Sequence, residues 1–114
     1  MIHYMNLQES PYRMIACGKK TIELRLLDEK RKKIEVGDTI VFKNAKDDNA
    51  TLTCTVKHLY VFESFEELYR TLPLELCGYL PEEISTAAAK DMELYYSTEE
   101  QEKYGVVGIE IELK

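Results

Sequence analysis

The polar and apolar positions of this chain change period several times, and each change marks an element. Residues 21–26 alternate strictly. Thr21, Glu23 and Arg25 fall on one side and Ile22, Leu24 and Leu26 on the other, the period of two of a half-buried strand. Met1–Met5 reads as a short strand. A Gly37-Asp38 turn precedes a strand reaching Phe42, residues 43–50 read as a polar loop, and Thr51–Phe62, rich in β-branched residues, reads as a long second strand. Residues 104–113 close the chain as another strand.

Helical signals fall between these runs. Ser10 followed by Pro11 pairs a side-chain cap with the residue best tolerated in a first turn; Tyr12, Ile15 and Ala16 share a face, and Gly18 supplies the stop. Ser64 with Glu67 forms a capping box at the head of a helix over residues 64–72. Pro81 to Tyr96 reads as one longer helix, and Ser97 with Glu100 caps a further short turn. The order is β-α-β-β-β-α-α-β. Connections between adjacent strands are short, which favours hairpins over parallel pairs. Strands with helices laid on one side predict an α+β fold, a small and partly open barrel, as one domain over residues 1–114 with no internal repeat.

Composition narrows the class. The 114 residues are 45% hydrophobic, with eight Tyr and no Trp, as in a folded globule. No apolar run approaches the roughly 20 residues of a membrane span, and the first ten residues lack the basic and apolar regions of a secretory signal. The expectation is a soluble cytoplasmic protein without membrane contact. Cys17, Cys54 and Cys77 are odd in number, widely spaced and without a CxxC, so all three read as small buried hydrophobes. His3 and His58 are far apart; alternation sets His58 on an apolar face with Cys54, Val56 and Tyr60. No metal site, cofactor motif, catalytic triad or glycine-rich phosphate loop is expected.

Charge is polarised along the chain. Residues 19–33 hold Lys19, Lys20, Arg25, Lys30, Arg31, Lys32 and Lys33 against Glu23, Asp28 and Glu29, a local +4 beside -10 elsewhere and -6 in total. That balance disfavours a protein that coats duplex nucleic acid. It leaves room for one nucleotide, or a small anionic fragment, at one site.

The candidate chemistry sits in the same window. Glu23 and Arg25 are two apart and share a strand face. Lys20 stands in the turn that Gly18 opens and can reach the same space. An ammonium, a carboxylate and a guanidinium together can bind an anion, orient a base edge or activate water. The same alternation also describes a solvated sheet face with cross-strand ion pairs. Lys30–Lys33 reads as a solvated loop, or as a rim contacting phosphate. Tyr95 and Tyr96 read as boundary residues, or as a platform on which a base stacks.

Gly18-Lys19-Lys20-Thr21-Ile22-Glu23-Leu24-Arg25 after a short helix, then residues 28–42, then the terminal Tyr104–Leu113, resembles the ASCH domain family, whose hallmark is G-x-K-x-x-[ET]-x-R. The resemblance spans nearly the whole chain. It implies a PUA-like open β-barrel with short helices packed on it, and RNA or nucleotide binding in a cleft lined by the motif. The ligand-binding candidates are then Lys20, Thr21, Glu23, Arg25 and Tyr96. Some bacterial members are N4-acetylcytidine amidohydrolases, in which a motif lysine, a threonine and a downstream glutamate are implicated. The lysine matches Lys20. The threonine position holds Glu23, so a hydroxyl nucleophile is missing there, and the downstream glutamate corresponds to Glu82 or Glu83. The resemblance therefore implies either a binding domain for RNA or a modified nucleoside, or an amidohydrolase with Lys20 and Glu23 as catalytic candidates. In that case Glu23 takes a proton from water while Lys20 or Arg25 stabilises the oxyanion. A protein-interaction domain without nucleic acid is the third reading, motivated by the acidic balance outside residues 19–33.

Overall fold

Strands β1 (Ile2–Leu7), β2 (Ile22–Leu26), β3 (Thr39–Asn44), β4 (Asp47–Phe62) and β5 (Val106–Leu113) form one sheet in a computed structural model that describes all 114 residues. Their spatial order is β1-β3-β4-β5-β2. The sheet curls into a half-barrel of the PUA-like, α+β kind. Helices α1 (Glu9–Ala16), α2 (Phe65–Thr71) and α3 (Thr98–Tyr104) connect the strands, with four short 3-10 segments between them. No helix is long and apolar enough to cross a membrane.

Three of the four strand pairings are antiparallel, as short connections favour. The fourth, β1 with β3, is parallel, running from Ile2 opposite Thr39 to Leu7 opposite Asn44. It becomes possible because α1 and β2 lie between these strands in the chain and act as a crossover. The polar loop expected at residues 43–50 shrinks to a turn at Ala45 and Lys46. Here the Asn44 side chain accepts from the Lys46 N–H at 2.9 Å, and the flanking residues extend the hairpin.

Apolar side chains collect in two clusters. One lies inside the curl under α1 and contains Ile15, Ile40, Phe42, Val56, Val107 and Ile109; the other lies under α2 and contains Ile22, Leu24, Phe65, Leu68 and Val106. β5 separates them and is buried on both faces. Gly108 permits the second cluster to close, since a Cβ there would lie 2.7 Å from Leu72 Cδ1.

Several local expectations change. The pairing register of β4 shifts between Val56 and His58, so Lys57 is an extra residue in the strand. The bulge reverses the alternation beyond it. Leu59 turns to the first cluster, Tyr60 and Phe62 turn to the second, and His58 is exposed rather than buried, tilted against Tyr60 with ring centroids 4.3 Å apart. Cys54 and Cys77 are buried, but Cys17 follows the last residue of α1 and is exposed. Helix α1 begins at Glu9, ahead of Ser10, and Glu9 pairs with Arg13 at 2.7 Å.

The helix expected over residues 81–96 is two 3-10 segments, Pro81–Thr86 and Ala89–Leu94, with extended backbone at Ala87 and Ala88. Each segment is closed by its own carboxylate: Glu83 accepts from the Leu80 N–H at 2.8 Å, and Asp91 from the Ala88 N–H at 3.2 Å. Two separate starts of this kind compete with one continuous helix.

Candidate functional site

The site lies where the barrel stays open. β1 and β2 are the two outer strands of the sheet and share no backbone pairing. Gly18 ends α1 with φ +82° and turns the chain towards β2. The Met14 carbonyl then accepts from the N–H groups of both Lys19 and Lys20, at 2.9 and 3.1 Å, which fixes Lys20 above the first residue of the strand.

Within β2, Glu23 lies opposite Ile109 and Arg25 opposite Val107. Both cross-strand partners belong to the cluster inside the curl. The polar face of β2 therefore points into the barrel at its open side, and the solvated sheet face with cross-strand ion pairs does not form. Glu23 is 4% exposed and Lys20 9%.

Such burial requires the charges to satisfy one another. Lys20 Nζ sits 2.7 Å from Glu23 Oε1, while Arg25 Nε donates to Glu23 Oε2 at 2.9 Å. Both carboxylate oxygens are engaged. Burial pushes the Glu23 carboxyl up, but Lys20 and Arg25 together outweigh it and hold the group below its ordinary value. Burial likewise opposes the charge of Arg25, and Glu23 overcomes it. The triad carries a net +1. Lys20 uses one of its three N–H donors on Glu23, leaving donors for an incoming acceptor.

A cleft of about 380 Å³ opens over the triad, within the size range of small-molecule sites. Lys20, Glu23 and Arg25 line it, as do Tyr69, Tyr79 and Tyr96. Tyr96 is held by stacking on Phe65, with centroids 5.9 Å apart and planes at 19°. Tyr95, 68% exposed, also lines the cleft. Gly78, at φ +106°, packs on the stem of Lys20: a Cβ there would lie 3.2 Å from Lys20 Cδ.

Four of the five expected ligand-binding residues, Lys20, Glu23, Arg25 and Tyr96, thus line one cleft. Thr21 does not. Its N–H donates to Leu76 and its carbonyl accepts from Ile111, so it anchors the start of β2 through backbone. Glu82 and Glu83 are exposed and line no part of the cleft. The basic run stays outside as well. Lys30 Nζ donates to the Tyr4 carbonyl at 2.7 Å, Arg31 pairs with Asp28 at 2.8 Å, and Lys32 lies 3.7 Å from Glu29. No group of three or more metal-ligating side chains forms.

Tyr69, Tyr79, Met14, Met92 and Gly78 were not singled out by sequence reasoning, although all line the cleft. The one signal among them was Gly78, a glycine beside Tyr79 in a bent, proline-flanked link. Cys77 also borders the cleft, but burial pushes its thiol up to about 11, with the nearby Lys20 opposing, so it is a poor nucleophile.

The fold and this arrangement define an ASCH-type, PUA-like protein. The ASCH domain profile matches residues 5–114, and the chain belongs to the ASCH domain family, which is often RNA-binding. Among solved structures it is similar to the hypothetical protein PH0355, at 39% identity over all of both chains with a TM-score of 0.82. It is also similar to protein PF0455 of Pyrococcus furiosus, at 39% identity over 99% of this chain and 97% of the other, with a TM-score of 0.71. ASCH from Zymomonas mobilis shares the fold at 12% identity, over 97% of this chain and 66% of the other, with a TM-score of 0.66. No curated protein matches the chain.

Proposed function

We propose that the cleft binds a single nucleotide unit, either within RNA or as a free modified nucleoside. One observation carries this reading: a Lys20–Glu23–Arg25 triad of net positive charge, with Lys20 and Glu23 buried and both carboxylate oxygens engaged, opens into a cleft lined by tyrosines. The cations supply donors for a phosphate or base carbonyl, and Tyr95 or Tyr96 supplies a ring for stacking. The acidity of the rest of the chain supports contact with one unit over a long backbone track.

Hydrolysis of an acylated nucleoside such as N4-acetylcytidine is the weaker reading. It asks Glu23 to take a proton from water, whereas both Glu23 oxygens are held by cations and its pKa is lowered, which makes it a poor base.

The test is an NMR titration with a tRNA pool and with nucleoside monophosphates. Shifts confined to Lys20–Arg25 and the cleft tyrosines are expected, with a shallow salt dependence. Silence at those positions for every ligand would remove the proposal. Incubation with N4-acetylcytidine, alongside Lys20→Ala and Glu23→Gln, decides the hydrolytic reading: cytidine released by the wild type and lost in both variants would reinstate it.

A further inference from the structure

The tyrosine wall of the cleft, which adjoins the cationic triad at Gly78, has a hydrogen-bonding polarity of its own. Tyr79 Oη donates to Asp91 Oδ2 at 3.0 Å, and the Tyr69 and Tyr79 hydroxyls are joined by a short hydrogen bond. Both rings line the cleft, meeting edge-on with centroids 5.7 Å apart. A carboxylate only accepts, so Asp91 fixes the Tyr79 proton towards itself. Each phenol has one proton. Tyr79 Oη must then accept from Tyr69, and the Tyr69 proton is spent in turn. The Tyr69 oxygen makes no other hydrogen bond within the protein, so its remaining lone pairs are open. The chain of bonds thus ends, at Tyr69, in an acceptor.

Asp91 is itself held, because the same Oδ2 accepts from the Ala88 N–H. Tyr79 follows Gly78, which packs on the Lys20 stem, so the accepting wall and the cationic wall meet at adjacent residues.

We infer that Tyr69, Tyr79 and Asp91 form a hydrogen-bond-accepting wall that selects ligands presenting an exocyclic amine beside the group held by Lys20 and Arg25. The inference rests on the nucleotide reading of the cleft. Between bases it predicts preference for an exocyclic amine over a carbonyl at the same ring position. A carbonyl there would meet the Tyr69 lone pairs, and an unmade hydrogen bond in a partly desolvated site lowers affinity about tenfold.

The experiment is an NMR titration of the wild type with two matched pairs, AMP against IMP and CMP against UMP. It is repeated for Tyr69→Phe, Tyr79→Phe and Lys20→Ala, each checked for an unchanged amide spectrum outside the cleft. The wild type is expected to bind the amino member of each pair about tenfold tighter. Tyr79→Phe frees the Tyr69 proton to donate and brings the ratio close to one, Tyr69→Phe removes the terminal acceptor and lowers the ratio, and Lys20→Ala weakens all four ligands and keeps it. Equal wild-type affinity within both pairs, or a carbonyl preference, overturns this inference and leaves the nucleotide reading standing. Absence of binding by all four overturns both. The wild-type ratios decide the matter even where a variant fails to fold.

Discussion

Arg25 of β2 donates from Nη2 to the backbone carbonyl of Asn6 in β1, at 2.8 Å, and so joins two strands that no backbone hydrogen bond joins. The same side chain also holds Glu23. Arg25 is therefore both a wall of the cleft and a clasp across the open side of the barrel. Arg25→Leu should lower stability by about 1–3 kcal/mol, since it removes one of the two cations that hold the buried Glu23 together with the clasp on the Asn6 carbonyl. Arg25→Lys keeps the charge without the fork and should fall between. Urea unfolding of the three proteins checks the order.

Glu23→Gln should be the more severe change at the site. It leaves the buried Lys20 and the half-buried Arg25 with no counter-charge, and the loss expected is about 3–5 kcal/mol. Glu23→Gln combined with Lys20→Met should recover part of it, because one uncompensated cation is removed. A thermodynamic cycle over the two substitutions reads the coupling; simple additivity would mean that the pair does not interact in the folded protein.

Acid should destabilise the protein through two carboxyls. The Glu23 pKa is lowered from 4.5 by its two cations against burial, and Asp38 is held at about 2 by a hydrogen bond from His3 and another from the Glu35 N–H. Both bind protons more weakly folded than unfolded, so their contribution is present above the unfolded values and is lost as pH falls through the folded ones. Tm should therefore drop steadily between pH 4.5 and about 2. Asp38→Asn should flatten the lower part of that profile in a calorimetric series.

Thiol labelling should separate the cysteines. Cys17 is exposed, whereas Cys54 and Cys77 are buried with thiols pushed up to about 11. Brief alkylation of the native protein followed by mass spectrometry should add one group, at Cys17, and three groups in denaturant. Fast native labelling of Cys77 would mean that the wall beside Lys20 opens readily.

Gly78→Ala tests the roof over Lys20. The left-handed backbone makes any Cβ cost about 1–2 kcal/mol, and the added carbon would press on the Lys20 stem at 3.2 Å. Stability should fall by that amount and ligand affinity at the cleft should fall further, as Lys20 is displaced from Glu23. A variant that loses stability but keeps full affinity would show that Lys20 has room to yield.

The clustering of the candidate site was legible because it is local. Gly18, Lys20, Glu23 and Arg25 lie within eight residues, and a strand period of two is enough to set Glu23 beside Arg25. Which way that face points was not legible from alternation, since it depends on Ile109 and Val107 lying opposite. The same limit explains His58: one extra residue at Lys57 reverses the alternation, and only the pairing with β5 reveals it. Tyr69 comes from α2, Tyr79 from a link and Asp91 from a 3-10 segment, so their meeting leaves no periodic trace. Residues 81–96 have helix-forming composition, and the carboxylates that break them into two pieces act through single side-chain bonds, which propensity does not register.

The bulge in β4 has a consequence for how the molecule comes apart. One strand, by reversing its alternation, serves as a shared wall of both apolar clusters, and β5 beside it does the same. Neither cluster owns its strands. Melting the region under α2 would strip the partner from the region under α1, so the slowest-exchanging amides should belong to β4 and β5 together and leave the native state in a single cooperative step.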